Sequence, residues 1–127
     1  MKVTGFTIVR NGVKFDYPFI ESIKSVLPLC DEMVVSVGNS EDATLAMVEN
    51  IGSPKIKIVE TVWDDSLREG GRVLAVETDK AKAYISKDTD WCIYNQADEV
   101  LHEQNYPAIK QAMVDNLNNR KVDGLLF

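Results

Sequence analysis

Two rhythms alternate along this chain. Short runs rich in Val, Ile, Leu and aromatic residues cover positions 3–9, 33–37, 56–62, 91–94 and 122–127, and each predicts a β-strand. Between them, apolar residues recur at helical spacing. Phe19, Ile20, Ile23, Val26 and Leu27 fall at i, i+1, i+4, i+7 and i+8, one face of a helix. Asp16 is its predicted N-cap, Pro18 fits its first turn, and Pro28 ends it. Leu45, Val48 and Ile51 form a second stripe, capped by Ser40 or Asp42 and stopped by Gly52. Positions 72–85 predict a third helix whose wide apolar side includes Val73, Leu74, Val76, Ala81, Tyr84 and Ile85. Tyr106-Pro107 opens a fourth, carried by Ile109, Ala112, Met113 and Leu117 and ended by Asn118-Asn119. Residues 63–71 are acidic, glycine-containing and irregular, and predict a loop.

Strand and helix therefore alternate along the whole chain. That order predicts one α/β domain over residues 1–127, a mainly parallel Rossmann-like sheet with right-handed crossovers and helices on both faces. Ile56 and Ile58 alternate with Lys55 and Lys57, which predicts an edge strand with one solvated face. Trp91-Cys92-Ile93-Tyr94 is unbroken, as expected of a strand buried on both faces. The chain stops on Leu125-Leu126-Phe127, which reads as a chain cut short. A second copy could cover that apolar end, making a homo-oligomer.

Composition narrows the function. With 127 residues, 45% hydrophobic and 27% charged, the chain can build a real core. A net charge of −6 without a basic cluster argues against nucleic acid or an anionic membrane surface as partner. No apolar run is long enough to span a bilayer, and the first residues lead straight into a strand without a signal peptide. Cys30 and Cys92 lie in unrelated segments and read as reduced, small hydrophobic residues. Together these predict a cytoplasmic protein.

Candidate chemistry concentrates after the fourth strand, where Asn95, Gln96, Asp98, Glu99, His102 and Glu103 follow the apolar run. A parallel strand delivers such groups to the carboxyl edge of the sheet, where open α/β folds bind ligands. Two readings of Asp98-Glu99 stand side by side. One is a solvated helix cap; the other is a Mg²⁺ or Mn²⁺ site facing a diphosphate, for which one or two carboxylates suffice. Arg10-Asn11, at the end of the first strand, suits either a surface turn or contacts to a phosphate or base. Gly38-Asn39-Ser40-Glu41-Asp42 is a strand-to-helix turn, or a loop that touches a nucleotide. Asp64, Asp65, Arg68, Glu69 and Arg72 read as solvated loop charges. His102, the one histidine, reads as a structural residue without a Ser or Cys partner at recognisable spacing. There is no Gly-x-Gly-x-x-Gly and no phosphate loop, so neither a dinucleotide fold nor an ATPase is supported. A phospho-acceptor signalling domain would need acidic residues where Arg10-Asn11 stands.

Three stretches together, Val9-Arg10-Asn11, Ser40-Glu41-Asp42-Ala43-Thr44 and Trp91 through Glu103, resemble family-2 glycosyltransferases of the GT-A fold. The resemblance covers essentially the whole chain, as the N-terminal, nucleotide-sugar-binding part of such an enzyme. It implies that Asp98 matches the last Asp of an Asp-x-Asp motif, the ligand to Mn²⁺ or Mg²⁺ on a nucleotide-diphospho-sugar. Gln96 stands at the first Asp of that motif, and Glu99 at a position that is usually acidic. Arg10, Asn11 and Asn39 become candidates for the nucleotide-sugar pocket beside Gln96 and Asp98. Val37 and Gly38 replace an acidic pair that contacts the base, and Thr78-Asp79 replaces a frequent Arg-Asn. The implied reaction is sugar transfer to an acceptor with inversion at the anomeric carbon. No residue matches the family's catalytic base, so this chain by itself is expected to be inactive. A non-catalytic nucleotide-sugar-binding or scaffolding domain of the same fold is the rival expectation.

Overall fold

The computed structural model describes residues 1–67 and 71–126. Strand β1 runs Val3–Val9 and β2 runs Glu32–Gly38; β3 covers Ile56–Thr61 and β4 covers Trp91–Tyr94. Helices α1 (Phe19–Val26), α2 (Thr44–Glu49), α3 (Arg72–Lys82) and α4 (Tyr106–Asn116) lie between and after them. All strand pairs are parallel, and the order across the sheet is β3-β2-β1-β4. The α/β expectation holds, and so does the edge position of β3.

Period-two alternation divides the core into two layers. Val3, Val9, Met33, Val35, Val37 and Ile93 point to one face, where Phe19, Ile23 and Val26 of α1 and Ile109 and Met113 of α4 cover them. Phe6, Ile8, Val34 and Val59 point to the other face, which packs on Ala81 of α3. Helices thus lie on both faces, and β1 is buried along its full length.

Four details depart from the pattern in the sequence. The first concerns β4, which is an edge strand rather than one buried on both faces: Cys92 and Tyr94 are exposed, and only Ile93 is buried. Its apolar run is satisfied partly by stacking, with the Tyr94 ring 5.0 Å from that of Phe6. Second, residues 122–126 form no strand. They pair with no neighbour, Gly124 weakens extended structure there, and Leu126 is fully exposed while Leu125 still touches the core.

Third, α1 begins at Phe19 instead of near Asp16. Asn11 and Gly12 carbonyls accept from Phe15 and Tyr17 amides, so residues 12–16 are wound into turns, and Asp16 sits at φ 55°. Fourth, α3 does not bury the wide apolar side expected of it. It stops at Lys82 and buries Glu77 and Ala81, while Leu74, Val76 and Tyr84 are exposed. Small Ala81 suits close approach to the sheet. The buried Glu77 carboxylate is held by Lys80 at 2.8 Å, with Oε2 lacking a protein partner.

Candidate functional site

The direction of the chain reverses across β1: β2 and β3 lie on one side and β4 on the other. Open α/β sheets bind ligands at such a switch point, beyond the carboxyl ends of the strands. A cavity of about 470 Å³ lies there. Arg10 and Asn11 enter it from the end of β1, and Gln96 and Asp98 from the end of β4. Four of the residues singled out in the sequence therefore share one wall-to-wall space.

The turn that carries Asp98 is fastened to α1. Glu99 N–H donates to Gln96 O at 2.9 Å, closing a tight turn over residues 96–99. Buried Asn95 donates through Nδ2 to Ser22 Oγ and to Glu99 O, both at 2.8 Å. Ser22 Oγ also donates to Gln96 O at 3.0 Å, and Leu101 N–H donates to Ser25 Oγ at 2.9 Å. Two serines one helical turn apart on the buried face of α1 thus hold the acidic turn in place. Glu99 does not line the cavity; its Oε1 accepts from Gln96 N–H at 3.4 Å, turning it back on its own loop. His102 caps the short turn Glu103–Asn105, its Nδ1 accepting from Gln104 N–H at 3.1 Å.

The opposite wall is a knot between β1 and the loop after β2. Asn11 adopts φ 51°, in the left-handed region, and is buried. Its Oδ1 accepts from Glu41 N–H at 2.7 Å, and its own N–H donates to Ser40 Oγ at 3.0 Å. Gly12 N–H donates to buried Thr44 Oγ1 at 2.9 Å, and that hydroxyl donates to Asp42 Oδ1. Asp42 Oδ2 accepts from Lys14 N–H at 2.7 Å. Partial burial pushes the Asp42 carboxyl upward, but bonds from the Thr44 hydroxyl and from the Lys14 and Thr44 amides outweigh it and hold it low. Lys14 Nζ pairs with Glu41 at 2.8 Å, and that bond holds Glu41 below its ordinary range.

Arg10 is held on three sides. Nε donates to Asn39 O at 2.8 Å, Nη1 pairs with Asp65 at 2.7 Å, and the Trp63 ring lies 5.7 Å from the guanidinium carbon. Asn39 does not line that cavity; it lines a second recess of about 460 Å³ with Gly38, Ser40 and Thr61, and its Oδ1 accepts from Trp63 N–H at 3.0 Å. Asp65, read from sequence as a solvated loop charge, is the counter-ion of Arg10. Arg68 and Glu69 lie outside the described residues.

Sequence reasoning missed Lys14, Phe15, Tyr17, Trp63 and Tyr94, which also line the cavity. A signal was present: Lys14-Phe15-Asp16-Tyr17 places large side chains between a strand and a helix, outside any apolar stripe. Among the described residues no three His, Cys, Asp or Glu side chains come together as a metal cage. The donor set still fits Mg²⁺ or Mn²⁺, which bind through one or two carboxylates and complete their shell with phosphate oxygens and water. Asp98 lines the cavity and can serve in that way.

The four-stranded parallel sheet with this cavity at its switch point is a Rossmann-like α/β fold. Among solved structures it is similar to TarS of S. aureus. Against TarS 1-349 the TM-score is 0.66 at 17% identity, covering 91% of this chain and 33% of that one. Against a longer TarS structure the TM-score is 0.59 at 17% identity, covering 91% of this chain and 20% of that one. This chain spans a third or less of those proteins, and at that identity the likeness shows the fold. No family model and no curated sequence matches the chain. No helix among the described residues is long and apolar enough to cross a membrane.

Proposed function

We propose that this chain is the nucleotide-diphospho-sugar-binding domain of a family-2-like glycosyltransferase, binding its donor through Mn²⁺ or Mg²⁺. One observation carries the reading: Arg10 and Asn11 from β1 and Gln96 and Asp98 from β4 converge on one cavity at the switch point of the sheet. In this reading Asp98 ligates the metal and Gln96 hydrogen-bonds the sugar or ribose. Arg10 offers charge-assisted donors to the diphosphate. The bound metal supplies charge neutralisation for the departing diphosphate. Glu99, bonded into its own turn, supports Asp98 from outside the cavity and becomes a ligand only if that turn opens.

Transfer to an acceptor with inversion also needs a general base. The reading places the base and the acceptor site outside these 127 residues, so this chain binds donor without turning it over.

Titration calorimetry with UDP- and GDP-sugars, with and without Mn²⁺, tests the reading. Metal-dependent binding that Asp98→Ala abolishes supports it. Binding that ignores both metal and Asp98 removes the metal role. No binding at all favours the rival, a scaffolding domain that keeps the fold. The rival draws on Gly38: where the resembling family carries an acidic residue, Trp63 fills the space.

A further inference from the structure

Both cations that line the cavity are already matched by carboxylates. Arg10 pairs with Asp65 at 2.7 Å, and Lys14 pairs with Glu41 at 2.8 Å. Asp98 adds a third negative charge. Among the described residues a diphosphate approaching this wall meets no surplus of positive charge, although Arg10 is the group best suited to hold it. Asp65 competes with a phosphate for the Arg10 guanidinium, whose Nη1 it holds.

The Arg10 counter-ion sits on a short strap. Asp64 Oδ1 accepts from Ser66 N–H at 3.0 Å, and Leu67 N–H donates to Asp64 O at 3.1 Å, so residues 64–67 form a compact turn with Asp65 at its tip. Trp63 anchors the strap. Its ring is packed on the layer formed by Phe6, Ile8 and Val34 and lies over Arg10. That docked position leaves Trp63 Nε1 buried without a partner. A buried unsatisfied donor is costly, and the cost is relieved when the ring moves toward water. The Asp65 carboxylate is more than half exposed, so it can be exchanged without breaking the core.

We propose that Asp65 is an anion surrogate that sets the affinity of the cavity for anions. Its carboxylate occupies the place on Arg10 that a ligand phosphate takes. Binding exchanges one anion for the other, and Trp63 with residues 64–67 moves off the cavity. A diphosphate carries more charge than the carboxylate it displaces, so it gains from the exchange. The proposal rests on the donor-binding reading for its natural ligand but not for its test.

Inorganic pyrophosphate and UDP are the probes, titrated into the intact chain by calorimetry and by tryptophan emission. Asp65→Asn is expected to bind pyrophosphate about three- to tenfold more tightly, the gain shrinking with added salt, since exposed ion pairs of this kind have modest, screened energies. Pyrophosphate should change the emission of the unmodified protein, and Trp63→Phe should remove that change. Glu41→Gln, which frees Lys14 instead, should leave the emission response in place. Unchanged or weaker pyrophosphate affinity in Asp65→Asn overturns the proposal, as does failure of pyrophosphate to bind either form. If UDP-sugars bind and Asp65→Asn makes no difference, the strap idea fails while the donor reading stands. If Asp65→Asn tightens pyrophosphate but UDP-sugars bind no better than pyrophosphate, the donor reading fails and the strap stands.

Discussion

Gly38 and Trp63 occupy one space. A Cβ built on Gly38 would lie 2.6 Å from Trp63 Cδ1 and 2.9 Å from Cε2, too close for any side chain while the indole stays docked. Gly38 ends β2, and Trp63 lies two residues past the end of β3. The glycine is what lets the ring close down on the sheet and reach Arg10. Gly38→Ala should therefore destabilise the fold by about 1–3 kcal/mol, the usual cost of overpacking. In a Trp63→Ala background the same change should cost much less. A urea-unfolding double-mutant cycle measures this coupling, and strict additivity would refute the shared-space argument.

Asn11 carries two loads, a left-handed backbone at φ 51° and the side-chain bond to Glu41 N–H. Asn11→Ala loses both and should destabilise by about 1–3 kcal/mol, combining left-handed strain with one lost hydrogen bond. Asn11→Gly loses only the bond and should be the milder change, by about 1 kcal/mol. Equal stabilities for the two variants in chemical denaturation would show that the backbone conformation carries no cost.

Strand positions were legible in the sequence because β-branched runs bounded by turn residues leave few alternatives, and β1 through β4 lie where those runs stand. The apolar run at 122–126 misled because strand character needs a neighbour to pair with, and sequence pattern says nothing about one; Phe127 lies outside the described residues. The same limit made β4 look doubly buried. For α3, periodicity could not reveal that the buried face is built from Glu77 and Ala81, since a fully buried carboxylate with a lysine partner looks like solvated charge in one dimension. At the candidate site, the Arg10-Asn11 and Gln96–Asp98 segments were readable from their places after strands. Trp63 and Asp65 were not, because their role depends on a loop folding back across two strands.

The two thiols should differ sharply. Burial pushes the Cys30 thiol up to about 12, so almost no thiolate exists there near neutrality. Cys92, on the outer strand, is exposed; partial burial raises its pKa and Lys82 opposes that rise. A disulfide reagent at pH 8 should label one thiol per chain, at Cys92, with the second appearing only on unfolding. Rapid labelling of Cys30 in the native protein, located by peptide mass, would contradict its burial.

Several carboxylates are held low in the folded state: Glu41 by Lys14, Asp64 by the Ser66 hydroxyl, Asp88 by Lys2, and Asp42 by bonds that outweigh its burial. A depressed folded pKa gives stability that is fully present above the unfolded value and lost as pH falls through the folded one. Melting temperature should therefore be flat between about pH 5–6 and about pH 8 and fall progressively below about pH 4, the range where free carboxylates titrate. Asp42→Asn keeps a side-chain acceptor for Thr44 but cannot titrate, so the acid limb of its melting curve should be shallower. An acid limb of unchanged steepness would show that Asp42 contributes nothing to it.

Ser22 offers a way to separate the acidic turn from the rest of the fold. Its hydroxyl accepts from Asn95 at 2.8 Å and donates to Gln96 O at 3.0 Å, so it joins α1 to the segment that carries Asp98 without itself lining the cavity. Ser22→Ala leaves buried Asn95 Nδ2 with Glu99 O alone and Gln96 O with Glu99 N–H alone, a loss of about 1–3 kcal/mol in global stability. If the turn is what presents Asp98, Mn²⁺-dependent donor binding should weaken further than the stability loss explains under conditions where the variant remains fully folded. Ser25→Ala, which unfastens Leu101 beyond the turn, should lose stability with a smaller effect on metal-dependent binding. Equal binding by Ser22→Ala, Ser25→Ala and the unmodified chain at full foldedness would mean that Asp98 does not depend on α1 for its position.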